Sequence, residues 1–239
     1  MSGDTSDSNR SKRPCFTANG VWRGSVEIAP IAAFVIPFGI AFGVAASAKG
    51  VPAEISLFMS IAIYAGASQF AALDLWHAPL PLATLALTVL AVNARHILLG
   101  AVLAPWLLQV PIMRRLAALL LLSDANYAQA MSARDRGEMD AGILFGSGLT
   151  MWITWIIGTA IGVLAGSLLG DLSRFGFDAV MVAFFAAVVV GQWKGSSDLF
   201  PWIAATAVAL IGAHLLPTGW HIIAGALTGG IIGAWRHGR

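Results

Sequence analysis

Eight apolar runs follow one another along this chain, joined by short polar links, and this constrains the fold more than any other feature. They lie at 25–48, 54–75, 82–108, 116–131, 141–170, 178–193, 198–216 and 217–235. A helix needs about 20 apolar residues to cross the roughly 30 Å hydrocarbon core of a bilayer. Lipid offers no hydrogen-bond partner, so each crossing segment must satisfy its own backbone, which a helix does. Composition agrees: 58% of the residues are hydrophobic and 11% charged, against about 25% charged in an ordinary soluble domain. That shortage of solvated surface excludes a soluble globular enzyme, a disordered chain and a disulfide scaffold. The expected fold is an all-α integral membrane protein, a polytopic helical bundle of six to eight membrane segments. The single cysteine, Cys15, excludes an intrachain disulfide and a cysteine metal site. A net charge of +2 without a Lys/Arg run speaks against nucleic acid. No G-x-x-x-x-G-K-[ST] loop is present for ATP, and no cofactor is expected.

Residues 1–23 are polar and carry Arg10, Lys12, Arg13 and Arg23, which reads as a disordered cytoplasmic tail. Residues 24–236 then form a single transmembrane domain. Ala46-Ser47-Ala48 resembles a signal cleavage site, but a signal's apolar core is only 7–15 residues. The run 25–48 would instead span about 36 Å as a helix, so it is read as a retained first span. Two segments are irregular: 54–75 is interrupted by Gly66-Ala67-Ser68-Gln69, and 116–131 collapses into Ser123-Asp124-Ala125-Asn126-Tyr127-Ala128-Gln129. Broken backbone at membrane depth is tolerated only where protein buries it or it lines a cavity. If both segments are re-entrant, only Lys49 and Arg174 fall outside; if all eight cross, Arg114 and Arg115 join them. The positive-inside rule favours the first arrangement. Both place the two termini in the cytoplasm.

Glycines recur every fourth residue at Gly158, Gly162, Gly166 and Gly170, with Gly142 and Gly146 upstream. Shorter stripes run through Gly225, Gly229 and Gly233, and through Gly39 and Gly43. Small residues at this spacing let helix backbones approach closely, and packing within the bundle is the expected use. Pro30 and Pro37 are placed to kink the first span, and several tryptophans, Trp155 among them, are expected partly to mark span ends.

Polar groups that lipid rejects are the functional candidates. Asn93, Arg95 and His96 sit in the middle of 82–108. Asn93, His96 and Gly100 share one helical face, while Arg95 points elsewhere and needs an acceptor, for which Asp124 is best placed. Asp124, Asn126 and Gln129 form a second group. A carboxylate at a helix break can exchange a proton as its surroundings alternate between wet and dry, because burial disfavours the charged form. Capping of a short helix is the structural alternative for Asp124. Gly66-Ala67-Ser68-Gln69-Phe70 is the third group, whose Ser68 and Gln69 supply neutral hydrogen-bonding atoms suited to a zwitterion. A plain helix with Gln69 bonded to a neighbour is its structural alternative.

Gly66-Ala-Ser-Gln-Phe70, Asn93-x-Arg-His96 with Ala104-Pro105, Ser123-Asp124 with Tyr127-Ala128, and Trp155-x-x-Gly158-Thr159-x-x-Gly162 occur in this order. Together they resemble the AzlC family over about residues 25–235. The resemblance implies the large subunit of a branched-chain amino acid exporter of the bacterial inner membrane, usually paired with a small AzlD-type membrane subunit. One position departs from the family pattern: the acid that often follows the Asp is here Ala125, which leaves Asp124 as the sole acid of that motif.

The function expected on this resemblance is proton-coupled secondary export of an apolar amino acid. Ser68, Gln69 and Asn93 would bind its polar groups and Arg95 its carboxylate, while Asp124 or His96 carries the proton. Two alternatives come from other classes. Gly66-x-Ser68 with His214 echoes the Ser–His dyad of an intramembrane protease, and glycine-rich helices also suit a channel or scaffold.

Overall fold

A computed structural model describes residues 14–169, 195–216 and 220–237, with residues 186, 190 and 193. Residues 1–13, most of the run 178–193, Gly170 and Arg174 lie outside the described residues. The described chain is almost entirely helical, in keeping with the expected all-α membrane bundle. Its helices are α1 (Ala18–Ala48), α2 (Ala53–Ala62), α3 (Gly66–Asp74), α4 (Leu82–Asn93), α5 (Arg95–Leu107), α6 (Ile112–Leu120), α7 (Asp124–Asp135), α8 (Gly142–Leu169), α9 (Leu199–Leu215) and α10 (Trp220–His237). Among the described residues three stretches are long and apolar enough to cross a membrane: Ala18–Ala48, Leu82–Leu107 and Gly142–Leu168.

The scaffold is the pair α1–α8, which lie side by side and run in the same direction. Gly20 and Gly24 of α1 meet Asp140 and Ile143, and Gly39 and Gly43 meet Gly158 and Thr159. The contact is backbone on backbone. A methyl group built on Gly162 would lie 2.1 Å from Ile40 O, and one on Gly146 would lie 2.0 Å from Val21 O. The four-residue glycine spacing therefore does what small residues do in lipid, gaining dispersion energy by removing side chains from the seam. Gly225 and Gly229 similarly face Ala205 of α9, whereas Gly233 meets nothing within 4 Å. Despite Pro30 and Pro37, α1 is one continuous helix.

At its start α1 extends further than expected, for it begins at Ala18 rather than near Ser25. Thr17 caps it by accepting from Gly20 N at 2.9 Å. Asp140 ties this start to that of α8: its carboxylate accepts from Thr17 N at 3.1 Å, from the Thr17 hydroxyl and from Gly142 N at 2.8 Å. Cys15 exchanges backbone hydrogen bonds with Met139 and Ala141. A capping residue and a shared carboxylate thus order residues 14–23, which composition alone assigned to the tail.

Two helical hairpins enter beside this pair from opposite ends. Lys49, just after α1, pairs with Asp74 at the end of α3 at 3.8 Å, and Val51 shares a core with Leu73. Both ends of 53–74 therefore lie at the far end of α1. Arg114 of α6 donates to Phe16 O at 3.2 Å, and Arg136 after α7 reaches Glu27 and Glu138. Both ends of 112–135 therefore lie at the near end. A ten-residue α2 and a nine-residue α6 rise about 15 and 14 Å, half the roughly 30 Å core. Each of the two irregular segments thus turns back to the end of α1 from which it starts.

The first break is displaced from its expected place. The chain leaves helix at Ile63–Ala65, where Tyr64 has φ 40°, and Gly66 begins α3 instead of interrupting a helix. Glycine is needed at that point for another reason: a methyl there would lie 2.8 Å from Cη2 of Trp155. A further irregularity was not expected. Ala94 separates α4 from α5, with Ala94 N bonded to Ala91 O and Ile97 N to Ala94 O, a local tightening without Gly or Pro.

Replacing Gly162 with Leu should force the α1–α8 seam apart. Overpacking of a core costs about 1–3 kcal/mol, and here the obstacle is backbone. Size-exclusion profiles of a fluorescent fusion should shift from a monodisperse peak to aggregate, while Leu164→Ala on the exposed face of α8 should leave the peak unchanged.

Candidate functional site

Each interruption frees backbone carbonyls that lipid cannot satisfy, and each finds a side-chain donor. Ile61 O accepts from Trp152 Nε1 at 3.1 Å and Ala65 O from Ser68 Oγ at 2.9 Å. Asn93 O accepts from His96 Nδ1 at 3.1 Å and Leu121 O from Asn126 Nδ2 at 2.8 Å. Three of the polar residues singled out in the sequence, Ser68, His96 and Asn126, thus stabilise breaks. Because a carbonyl only accepts, the donor in this bond is His96 Nδ1.

Asn126 is wholly enclosed in this role. It forms a capping box with Ser123, in which Ser123 N donates to Asn126 Oδ1 at 2.7 Å, and its amide also reaches Leu144 O at 3.2 Å. Ser123, not Asp124, is therefore the cap of α7. Asp124 follows it in the first turn, where a carboxylate suits the helix dipole, and its side chain is free to pair elsewhere. Gln129 donates to Gly24 O and Glu27.

Gln69 is fully buried and belongs to a closed ring of hydrogen bonds. Trp155 Nε1 donates to Gln69 Oε1 at 2.9 Å, Gln69 Nε2 to Ser60 Oγ at 3.1 Å, Ser60 to Thr159 Oγ1 at 2.9 Å, and Thr159 to Trp155 O at 3.0 Å. The ring clamps both arms of the first hairpin to α8. Trp155, expected among the interfacial tryptophans, is instead buried here and stacks on Phe42 with ring centroids 6.1 Å apart. Nothing in the sequence marked Ser60 as its partner, since a serine inside an apolar run is unremarkable.

The turn at Ala94 joins the two hairpins. On one side Asn93 Nδ2 donates to Ser68 Oγ at 3.1 Å. On the other, Arg95 Nη1 pairs with Asp124 Oδ2 at 2.8 Å, the partner expected for it. Neither charge is enclosed, with side-chain exposures of 35% and 57%. Two buried atoms here lack a protein partner, the acceptor Asn93 Oδ1 and the donor Arg95 Nε. An orphan acceptor beside an orphan cationic donor is complementary to a zwitterion. Ser68, Asn93, Arg95, His96 and Asp124 are thus gathered around one turn, with Gln69 held one residue behind Ser68.

His214 takes no part in the contacts of Ser68, whose hydroxyl is bonded to Ala65 O and Asn93. A nucleophilic serine needs a base on that hydroxyl, so the dyad of a protease is not assembled. Among the described residues no group of His, Cys, Asp and Glu could hold a metal ion.

At the near end Arg23 pairs with Glu138 at 2.8 Å and with Glu27 at 3.3 Å, and Arg136 pairs with both carboxylates. Hydrogen bonding to Arg23, reinforced by Arg136, holds the Glu138 carboxyl below the usual range against a smaller opposing effect of burial.

A helical bundle with long apolar helices, two opposed hairpins and polar groups gathered at their meeting is the architecture of an integral membrane protein. The chain belongs to the AzlC family, described as AzlC protein, whose sequence profile matches residues 30–169. It is 31% identical over 217 residues to an uncharacterized membrane protein of Archaeoglobus fulgidus, covering 89% of this chain and 94% of the relative. It is 31% identical over 217 residues to the inner membrane protein YgaZ of Escherichia coli, covering 86% of each. The branched-chain amino acid transport protein AzlC of Bacillus subtilis is 30% identical over 189 residues, 78% of this chain and 72% of the relative. No solved structure matches the chain. Membership of this family makes the protein a transporter and not an enzyme.

Glu138 titrates lower in the folded chain than in the unfolded one. The stability it contributes is therefore present above the ordinary carboxylate range and is lost as pH falls below it. Thermal unfolding in detergent should show Glu138→Gln less stable than the parent at pH 7. The two curves should converge as the pH drops below about 4.

Proposed function

We propose that the protein is a secondary exporter of branched-chain or similar apolar amino acids, driven by protons across the bacterial inner membrane. The observation that carries this is the Arg95–Asp124 pair at the turn where both hairpins meet, with an orphan donor and an orphan acceptor beside it. An amino acid is a zwitterion, and it can enter between the two charges. Its carboxylate takes Arg95, whose Nε is unpartnered, and its ammonium takes Asp124 and Asn93 Oδ1. Ser68 orients Asn93, and Gln69 positions Ser68 by pinning α3 to α8.

Coupling follows from competition. Ionised Asp124 holds the substrate ammonium, whereas protonated Asp124 has no charge for it. Proton and substrate therefore occupy the site alternately, which gives exchange rather than cotransport. His96 Nε2 is the relay that brings the proton to this turn. Both termini lie in the cytoplasm, consistent with the basic residues at the near end, and a small AzlD-type membrane subunit accompanies the chain, on the strength of the family resemblance.

Efflux of leucine from cells loaded with a leucine dipeptide tests the proposal. Deleting the gene and its neighbour should slow efflux, and unchanged efflux would sink it. In proteoliposomes, Arg95→Ala should weaken substrate binding about 10- to 100-fold, the worth of one charge-assisted hydrogen bond of about 1.5–3 kcal/mol. Asp124→Asn should abolish stimulation by a pH gradient. Flux that is linear and indifferent to the gradient in the parent protein would mark a channel instead.

A further inference from the structure

Tyr64 stands where the two hairpins meet and has no role in the polar site. It is the one non-glycine residue with positive φ among the described residues, at 40°. That conformation crowds a side chain bearing a Cβ, so the surroundings must hold it in place. They do so from both ends of the molecule. Toward the near end the ring packs with Ile28, Ala32 and Met151, where Ala125 of the opposite hairpin joins the same cluster. Toward the far end it packs on the cluster that includes Phe42, Phe70 and Trp155. Its phenol faces Ser123, the cap of α7, and Ser123 Oγ lies 3.8 Å from the sulfur of the same Met151. One large side chain from the tip of the first hairpin therefore fills the junction with the tip of the second.

We infer that Tyr64 is the gating residue of this transporter, its ring closing the path between the hairpin tips, with Ser123 and Met151 as the seat. This rests on the transport function proposed above. Alternating access requires that a path from one face stop before it reaches the other. Two hairpins entering from opposite faces and meeting tip to tip offer one place where a single ring closes both half-paths. The Arg95–Asp124 pair lies beside that place, because Asp124 is the residue after Ser123. The backbone at Tyr64 also supplies a route for opening. Return of φ to the ordinary negative region relieves the crowding and swings the ring off Met151, so that closure persists only while both clusters grip it.

The test uses the full chain in proteoliposomes. Tyr64→Ala should convert proton-gradient-dependent leucine flux into a leak at least tenfold faster than the parent's gradient-free flux. Tyr64→Phe, which keeps the ring, should restore dependence on the gradient. A merely structural role would lower all flux and create no leak. Folded Tyr64→Ala protein that stays gradient-coupled overturns the proposal. A second arm needs no such variant to transport: in a Cys15→Ser background, Tyr64→Cys with Ser123→Cys should be joined by a short bismaleimide in the folded protein. Failure to cross-link overturns the tip contact and the proposal with it. If the parent protein moves no amino acid, the transport function is wrong and the gate has nothing to close. A successful cross-link would then still distinguish that failure from an error in the geometry.

Discussion

A helix interrupted within lipid must find protein partners for the backbone groups it frees, and the rest of this structure follows from that requirement. The chain interrupts its helices at residues 63–65, at Ala94 and at 121–123, and the three interruptions converge. At each break at least one carbonyl accepts from a side chain of the same break or of α8. An unsatisfied carbonyl in hydrocarbon costs several kcal/mol. Breaks spread over separate lipid-facing helices would be prohibitive, whereas breaks gathered together share cover. The site is polar because the breaks meet there.

The α1–α8 seam makes that gathering possible. With glycines along both helices the backbones touch, and α8 presents Met151, Trp152, Trp155 and Thr159 to the hairpins as fixed points. Trp152 takes a carbonyl of the first hairpin, and Met151 seats Ser123 of the second. The closed ring through Gln69, Ser60, Thr159 and Trp155 is saturated, so it rigidifies the first hairpin and offers little to a ligand. The charged quartet at the near end adds ion pairs between the second hairpin and α1 that are mostly solvated and individually weak. Buried hydrogen bonds to α8 hold both hairpins, through Gln69 and Ser60 in the first and through Asn126 in the second.

Several features of the fold are legible in the sequence. The apolar runs define the spans because lipid thickness sets their length. The glycine periodicity pointed to close helix packing. The pairing of Arg95 with Asp124 was readable because a cation in an apolar segment needs an acceptor and few acids are available. The roles of Gln69 and Trp155 were not readable. An amide and an indole in apolar runs look alike whether they face a ligand, lipid headgroups or each other. The tightening at Ala94 left no trace either, since neither glycine nor proline marks it.

The sequence by itself determined the solvent, the helical class, the seam of small residues and the short list of intolerable polar groups. These follow from local composition and from spacing along a helix, which no tertiary contact can alter. Only the tertiary structure decided which polar groups satisfy breaks, which remain unpaired, and that Tyr64 fills the junction between hairpins nearly sixty residues apart in the chain. Those outcomes depend on which helix end faces which, and hydrogen-bond partners across that distance are set by packing rather than by sequence proximity.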